Sequence, residues 1–249
     1  MCCVALLSMS VNAESTINDD PPQITFDIEQ GIVVTEEVNI TGTFIDESPP
    51  LNLVWKVYNG VEIVEYGDLV SNLQPQSLNQ SSRELWSFHL QLNFSSIGSC
   101  SCVIAIEGTD VSQQTETAQL IIFSESEHSE NLPPIVIFDT SQSMNKFSGI
   151  TEISVIARDD DHSPELQWSL TDDSAIAQSC ALSWIENPVV DWTNATSMPS
   201  AQTFSFDTST YADGSYSLLI RAVASNENSV SVCRTIGIDN QFPTAAILG

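Results

Sequence analysis

One stretch of this sequence is a near copy of another, and this repetition constrains the fold more than any other feature. Residues 133–139 read Pro-Pro-Ile-Val-Ile-Phe-Asp, and residues 21–27 read Pro-Pro-Gln-Ile-Thr-Phe-Asp. A spacing of 112 residues (133 minus 21) leaves each copy enough chain to bury a core of its own. We therefore predict domains at 20–124 and 133–240, joined by an acidic linker at 125–132, with the first strand of a third repeat at 241–249.

Apolar and polar residues alternate along both copies, which is the pattern of half-buried β-strands. The clearest case is residues 86–94, where five apolar side chains alternate with polar ones. The dipeptide Asn59-Gly60 follows another alternating segment and is typical of a tight hairpin turn. With no segment of helical period, the sequence predicts an all-β chain of two tandem antiparallel Ig-like β-sandwiches.

Strands of the first copy can be matched with strands of the second. Ile153 matches Ile40 at an offset of 113, and Trp168 matches Trp55 at the same offset. Both tryptophans are expected in the cores. Later in the chain we match Phe204 and Phe206 with Phe88 and Leu90, and residues 214–218 with residues 98–102, at an offset of 116. This matching places the extra residues of the second copy in loops.

The chain is strongly acidic, with 6 Lys and Arg against 33 Asp and Glu and a formal net charge of −27. Such a charge repels phosphate backbones and anionic lipid headgroups. Nucleic-acid and membrane-surface partners are therefore disfavoured. No stretch approaches the roughly 18 apolar residues of a membrane span, so we expect no direct membrane insertion by this segment.

Residues 1–13 are typical of the end of a secretory signal peptide, with a short apolar run and small residues before a cleavage point after Ala13. The alternative is an apolar N-terminal strand. A signal peptide predicts a secreted or cell-surface location, where disulfides form. Cys180 and Cys233 are the predicted pair. Cys100 and Cys102 lie two residues apart on one face of a strand, where a bridge would be strained, so we interpret them as buried small apolar residues.

Several motifs together resemble the Ig-like domain repeats of prokaryotic secreted and surface proteins, with cadherin-like, PKD-like or fibronectin III-like architecture. The motifs are Ile40-x-Gly42-x-x-x-Asp46 followed by Leu53-x-Trp55, the Gly-Ser-Tyr-Ser-Leu segment at 214–218, and the closing segment at 238–243. The resemblance covers nearly all of residues 20–249. It implies tandem modules that serve as spacers, adhesion units or appendages of secreted enzymes.

The run Asp159-Asp160-Asp161 resembles the cadherin-type loop that binds calcium at a module junction. By this resemblance Asp159 and Asp161 would bind the ion, with Glu130 of the linker as a further oxygen ligand. Calcium takes six to eight hard oxygen ligands, which carboxylates at alternating positions can supply. The linker lacks the cadherin Asp-x-Asn-Asp-x-Pro pattern, however, and the commoner role of a charge run is a solvated turn. No other cofactor is expected.

Two tryptophans, Trp184 and Trp192, lie in a segment of the second copy that has no counterpart in the first. They are candidates for stacking on sugar rings, although burial is the commoner fate of large aromatic side chains. The three histidines are scattered and show no zinc spacing, and there is no nucleophile elbow or phosphate-binding glycine loop. Two similar sandwiches also offer little concave wall, so we predict no enzymatic activity.

The predicted function is a non-catalytic extracellular structural or adhesion module, acting as a repeat spacer in a larger secreted or surface protein. Its expected partners are neighbouring repeats of the same chain and a surface protein or glycan. The alternative is an accessory, carbohydrate-binding region of a secreted hydrolase.

Overall fold

The structure is a computed structural model, and it describes residues 20–76, 83–125, 131–139, 146–172, 188–195, 202–225 and 229–241. The predicted signal peptide at 1–13 and residues 242–249 of the predicted third repeat lie outside these residues. Within them, the predicted all-β fold is confirmed: strands and three short 3-10 turns are the only regular elements. The described residues contain no helix that is long and apolar enough to cross a membrane.

The first nine strands form two sheets. One has the order β1-β3-β7-β6 and the other the order β2-β9-β8-β4-β5. Except for the parallel pair of β2 with β9, all pairs within these two sheets are antiparallel. The strands are β1 (Gln23–Phe26), β2 (Ile32–Val34), β3 (Glu37–Asp46), β4 (Asn52–Asn59), β5 (Glu62–Asp68), β6 (Gln74–Gln76), β7 (Glu84–Asn93), β8 (Cys100–Thr109) and β9 (Thr115–Ser124).

The remaining strands form two further sheets in the same arrangement, with the orders β10-β12-β15 and β11-β17-β16-β13-β14. The short strand β11 pairs parallel with β17, as β2 does with β9. The strands are β10 (Ile135–Phe138), β11 (Lys146–Phe147), β12 (Ile150–Arg158), β13 (Glu165–Thr171), β14 (Val190–Asn194), β15 (Gln202–Asp207), β16 (Gly214–Val223) and β17 (Ser229–Ile238). This order, with strands that switch between two sheets, is that of an Ig-like sandwich.

Each sandwich has its own hydrophobic core between its two sheets. In β3 every second side chain is buried, because successive residues of a strand point to opposite faces. Trp55 is buried in the first core, as predicted. Trp168 packs against the second core, with its ring stacked on Phe204 at 6.1 Å and edge-on to Phe206 at 5.5 Å. Strands β4 and β13 therefore each place a tryptophan against the core of their own sandwich.

The predicted hairpin at Asn59-Gly60 is confirmed. Strand β4 ends at Asn59, β5 begins at Glu62, and the two pair antiparallel. Gly60 has φ = 61°, a left-handed conformation that glycine adopts without a steric cost. A bulge between Val57 and Tyr58 shifts the register of this hairpin near its turn.

The predicted match between the later strands is wrong by two residues. Ile40 lies opposite Leu90, whereas Ile153 lies opposite Phe204. Since Ile153 is the counterpart of Ile40, Phe204 corresponds to Leu90, not to Phe88. The sequence match was based on two phenylalanines, but backbone pairing decides which residues are equivalent.

The same shift applies to the segments matched at 98–102 and 214–218. Leu53 lies opposite Gly108, and its counterpart Leu166 lies opposite Ala222. The offset is therefore 114 (222 minus 108), which makes Gly214 the counterpart of Cys100. Similar Gly-Ser dipeptides in the two copies thus belong to different positions of the sandwich.

Cys100 and Cys102 form a disulfide, so the prediction that they are unbridged is wrong. The prediction that they are buried is confirmed, because both side chains belong to the first core. Their Cα atoms are 5.4 Å apart, whereas a two-residue step along an extended strand covers about 6.6 Å. The observed separation is close to the commonest Cα distance of a disulfide, about 5.5 to 6 Å.

Replacing Gly42 with alanine is expected to destabilise the first sandwich by about 2 to 3 kcal/mol, since overpacking a core displaces its neighbours. A Cβ atom at Gly42 would lie 2.2 Å from the backbone oxygen of Thr25 and 2.3 Å from Cζ of Phe88. Chemical denaturation measures the change. The control is Gly214→Ala in β16, where the nearest atom would be 3.6 Å away, at Tyr216. Equal stability losses for the two variants would contradict this packing.

Candidate functional site

The two sandwiches meet at an apolar junction formed by outward-facing residues of β9 and β10. Leu120 and Ile122 of β9 point into the first core, while Ile121 and Phe123 point the other way. Ile121 and Phe123 are nevertheless fully buried, because they pack against Leu132, Ile135 and Ile137 of the second half. We call these five residues the junction cluster. They attach one sandwich to the other through side chains that each sandwich alone would expose.

Polar contacts border the junction cluster. The Ser101 hydroxyl donates to the Pro133 carbonyl at 2.6 Å, and the Arg158 Nε donates to the Gln30 carbonyl at 3.3 Å. Gly31, with φ = 82°, lets the chain pass close to Arg158: a Cβ atom there would come within 2.9 Å of the Arg158 Cδ. Both hydrogen bonds join a side chain of one half to a backbone carbonyl of the other.

Beside the junction cluster lies a cleft of about 900 Å³. Strands β1 and β9 form one wall, and β10, β12 and the loop after β12 form the other. The expectation that the chain has little concave wall is therefore wrong. The concave surface lies between the two sandwiches and not within either one. The cleft is acidic: its lining includes Glu29, Glu116, Asp139, Asp159, Asp160 and Asp161.

The three consecutive aspartates at the end of β12 form the most concentrated negative charge of this cleft. One carboxylate oxygen from each of Asp159, Asp160 and Asp161 can be chosen so that all three lie within 4.8 Å of one another. The structure thus brings together the predicted ligands Asp159 and Asp161. It also places Asp160 with them, which is not among the predicted ligands. The third predicted ligand, Glu130, lies outside the described residues.

The linker approaches this loop directly. The Leu132 N–H donates to Oδ2 of Asp160 at 2.9 Å, and Nδ2 of Asn131 donates to Oδ2 of Asp161 at 3.2 Å. Within the described residues, both side-chain oxygens of Asp159 and Oδ1 of Asp160 are buried without a hydrogen-bond partner. Three carboxylate oxygens are therefore withdrawn from water, which costs free energy while they are charged.

The aspartates of the loop have unequal proton affinities. Burial, reinforced by the charges of Asp160 and Asp161, raises the pKa of Asp159 to about 6. A hydrogen bond from His162, whose Nδ1 lies 3.0 Å from Oδ1 of Asp161, lowers the pKa of Asp161. Asp159 therefore keeps its proton to a higher pH than Asp161 does.

The corresponding loop of the first sandwich is balanced by an arginine. The Arg83 Nε lies 3.3 Å from Oε1 of Glu47, and the Arg83 Nη2 lies 3.9 Å from Oδ1 of Asp46. Arg83 also donates to the Ile45 carbonyl at 3.1 Å. The two loops therefore handle their negative charge differently: the first contacts a guanidinium, and the second contacts amide donors of the linker and a histidine.

The other predicted site residues are only partly within the described structure. Trp192 is half-buried on β14, and the Arg221 guanidinium lies over its ring at 4.2 Å from the centroid. One face of the ring is thus covered by a cation. Trp184 lies outside the described residues, so sugar stacking by the two tryptophans stays a prediction. Cys233 is disulfide-bonded, but Cys180 also lies outside, so their pairing stays a prediction too.

Comparison with known proteins adds solved structures of similar architecture. No protein-family model matches the chain, and no curated protein matches it. One matching structure contains the fibronectin(III)-like modules of CbhA from Clostridium thermocellum, at 8% identity over 88% of this chain and 94% of that one, with a TM-score of 0.28.

Two further matches are larger proteins. A tetra-tandem repeat from the extending region of a large adhesion protein matches at 16% identity over 88% of this chain and 49% of that one, with a TM-score of 0.29. Dimeric latent PorU from Porphyromonas gingivalis matches at 9% identity over 94% and 22%, with a TM-score of 0.36. Because these TM-scores are low, the Ig-like assignment rests on the strand order and register of this chain.

The raised pKa of Asp159 predicts how stability depends on pH. The folded state retains this proton up to about pH 6, whereas an unfolded aspartate releases it near its ordinary pKa of 3.8. The free energy of unfolding should therefore decrease as the pH rises through this window. Asp159→Asn removes that decrease, and the variant should be about 1 kcal/mol more stable than the wild type at pH 7, after allowance for solvent screening.

Chemical denaturation at a series of pH values tests this expectation. The control is Glu84→Gln, which removes the same unit of charge from an exposed position of β7. The measured quantity is the difference in the free energy of unfolding between the wild type and Asp159→Asn. If this difference is the same at pH 4 and at pH 6, the burial of this carboxylate is contradicted. An equal gain in the control variant would contradict it too.

Proposed function

We propose that this protein is a non-catalytic structural and adhesion module, a stiff two-sandwich spacer within a larger secreted or cell-surface protein. The observation that carries the proposal is the junction cluster, in which the last five residues of β9 are buried on both faces. Interfaces between domains of one chain that are small and polar permit relative motion. An interface with fully buried aliphatic and aromatic side chains resists it, because separating the domains exposes these side chains to water.

The connection between the sandwiches supports the same role. Pro133 and Pro134 restrict the backbone just before β10, since the proline ring locks φ. The residues before them contact the second sandwich, through Asn131 to Asp161 and through Leu132 to Asp160. The linker is therefore bound to the second sandwich through its last two residues before the prolines. The partners in this role are neighbouring repeats, and the ligand at the exposed surface is a surface protein or a glycan.

Disrupting the junction cluster is expected to release the two sandwiches from each other. Residual dipolar couplings from both sandwiches of the wild type should fit a single alignment tensor. In the variant Ile121→Ser with Phe123→Ser, the two sandwiches should require separate tensors, because the apolar contact is lost while each core keeps its own residues. The measurement is made on the complete two-sandwich chain.

The matched control is Val111→Ser with Ile150→Ser, which changes two exposed apolar residues outside the junction cluster. Its couplings should still fit one tensor. A wild-type protein that needs two tensors would contradict the spacer proposal. So would an Ile121 and Phe123 variant, folded by its amide spectrum, that keeps the wild-type tensor.

The acidic loop supports a further part of the proposal, which is that calcium reinforces the junction. Asp159, Asp160 and Asp161 provide the hard oxygen ligands that calcium prefers, and the oxygens of Asp159 lack donors within the described residues. A cation at these oxygens would offset the cost of burying their charge. Because Asp160 and Asp161 also contact the linker, ion binding would stabilise the connection between the sandwiches.

Calcium is therefore expected to raise the melting temperature of the wild type, and a chelator should reverse the increase. At a calcium concentration one hundred times the dissociation constant, the gain would be about 2.7 kcal/mol. Asp159→Asn should lose most of this response, and the control Glu84→Gln should keep it. Magnesium should act more weakly, since it prefers a smaller octahedral site. A chelator that leaves both the melting temperature and the inter-sandwich angle unchanged would refute the calcium proposal.

A further inference from the structure

Strand β5 is an open edge of the first sandwich. It is the last strand of its five-stranded sheet, and among the described residues no strand pairs with its outer side. Apolar side chains at and beside this edge are exposed: Val61 is 96% exposed, Tyr66 77% and Ile63 50%. Natural proteins usually protect such edges with lysine, proline or polar residues, because unpaired strands recruit other strands.

Two other edges of the same chain have that protection. The edge strand β6 contains Pro75 between two glutamines, and all three residues are exposed. The edge strand β14 of the second sandwich, which occupies the position of β5 there, has the sequence Val-Asp-Trp-Thr-Asn and only half-buried or exposed residues of mixed polarity. In β5, by contrast, exposed apolar side chains lie beside the exposed carboxylates of Glu62 and Asp68.

The backbone of β5 offers unpaired groups at this edge. The Leu69 N–H donates to the Leu53 carbonyl, which makes these two residues a hydrogen-bonded pair of the antiparallel ladder. Such pairs alternate along a ladder, so Gly67, opposite Trp55, also bonds to β4. The N–H and C=O groups of Tyr66, one residue away, therefore point outward and can pair with an added strand.

An apolar row on the outer face of the sheet connects this edge with the junction cluster. Ile63 lies opposite Tyr58, Tyr58 opposite Val103, and Val103 opposite Ile121. Residues directly opposite each other in a sheet share one face. Val103 packs against the junction cluster, so the row is covered at one end by the second sandwich and is open at Ile63. A strand added beside β5 would continue a contact surface that the molecule already uses.

The charge of the edge indicates what kind of strand would fit. Glu62, Glu65 and Asp68 are carboxylates of β5, and Oε2 of Glu65 is buried without a hydrogen-bond partner within the described residues. A second copy of this chain would bring these carboxylates against one another, in a protein of net charge −27. A strand with lysine or arginine beside its apolar residues would instead complement them.

We propose that β5 is a docking edge that binds an extended, basic and apolar segment of a partner protein by strand addition. Backbone pairing at Tyr66 provides affinity, the apolar row selects aliphatic side chains, and the exposed carboxylates of Glu62 and Asp68 select basic ones. This proposal goes beyond the spacer role and does not depend on it, because a flexible pair of sandwiches would still present this edge.

The test uses the complete chain and a fluorescent peptide, acetyl-Lys-Val-Lys-Val-Lys-Val-Lys-amide, with fluorescence anisotropy as the binding measurement. The wild type should bind it, and the variant Ile63→Lys with Tyr66→Lys should bind at least about tenfold more weakly, because it adds like charges and removes apolar contacts. The control Val111→Lys with Ile150→Lys adds the same charge at exposed apolar positions outside β5 and should bind within about twofold of the wild type.

Hydrogen exchange distinguishes strand pairing from simple charge attraction. Exchange of the Tyr66 amide should slow when the peptide binds. The proposal is overturned if the wild type does not bind the peptide, if the edge and control variants bind alike, or if binding leaves the Tyr66 amide unprotected. Equal binding of the acidic analogue, with glutamate in place of lysine, would also overturn it. So would a wild-type homodimer in sedimentation that the edge variant abolishes, because the occupant would then be a second copy.

Discussion

The burial of both faces of β9 is the interaction on which the arrangement of this molecule depends. A strand of an antiparallel sandwich normally places one face in the core and the other in water. In β9 the last five residues are all buried, because the second half of the chain covers the outer face. Fully burying a large apolar side chain contributes about 1.5 to 3 kcal/mol. Ile121 and Phe123 therefore outweigh the surface ion pairs, whose usual contribution is below about 1 kcal/mol.

This contact also creates the acidic cleft. When β10 packs against β9, the end of β12 and its three aspartates come to face β1 and the start of β9. The linker then donates hydrogen bonds to Asp160 and Asp161, while the buried oxygens of Asp159 are left without donors in the described structure. The loop therefore lies both beside the linker and across the cleft from the first sandwich.

Much of the fold could be predicted from the sequence because strand formation leaves a local signal. The alternation in residues 86–94 corresponds to β7, and the Asn59-Gly60 turn to the hairpin of β4 and β5. Pairing register is a longer-range property, and a match of similar side chains placed Phe204 two residues from its true counterpart. The bridge between Cys100 and Cys102 was also missed, because pairing of two cysteines depends on the local backbone conformation, which residue spacing does not show.

The junction and the candidate site were less predictable for a physical reason. Both depend on contacts between the two halves, whereas the alternation of apolar and polar residues reports only on the strands within one half. A signal was present, however, in the unbroken apolar run Leu120-Ile121-Ile122-Phe123, which indicates a strand buried on both faces. Asp159 and Asp161 could be placed in one loop from their spacing. The anchoring of Asp160 to the Leu132 N–H could not, since it requires the path of the linker.

The most direct test of the junction is a double-mutant cycle between Phe123 of the first sandwich and Ile135 of the second. Each residue is changed to alanine, singly and together, and the free energy of unfolding is measured for the complete chain. Since both side chains belong to one buried cluster, we predict a coupling free energy of about 1 kcal/mol or more. Additive effects of the two substitutions, with a coupling indistinguishable from zero, would contradict the account.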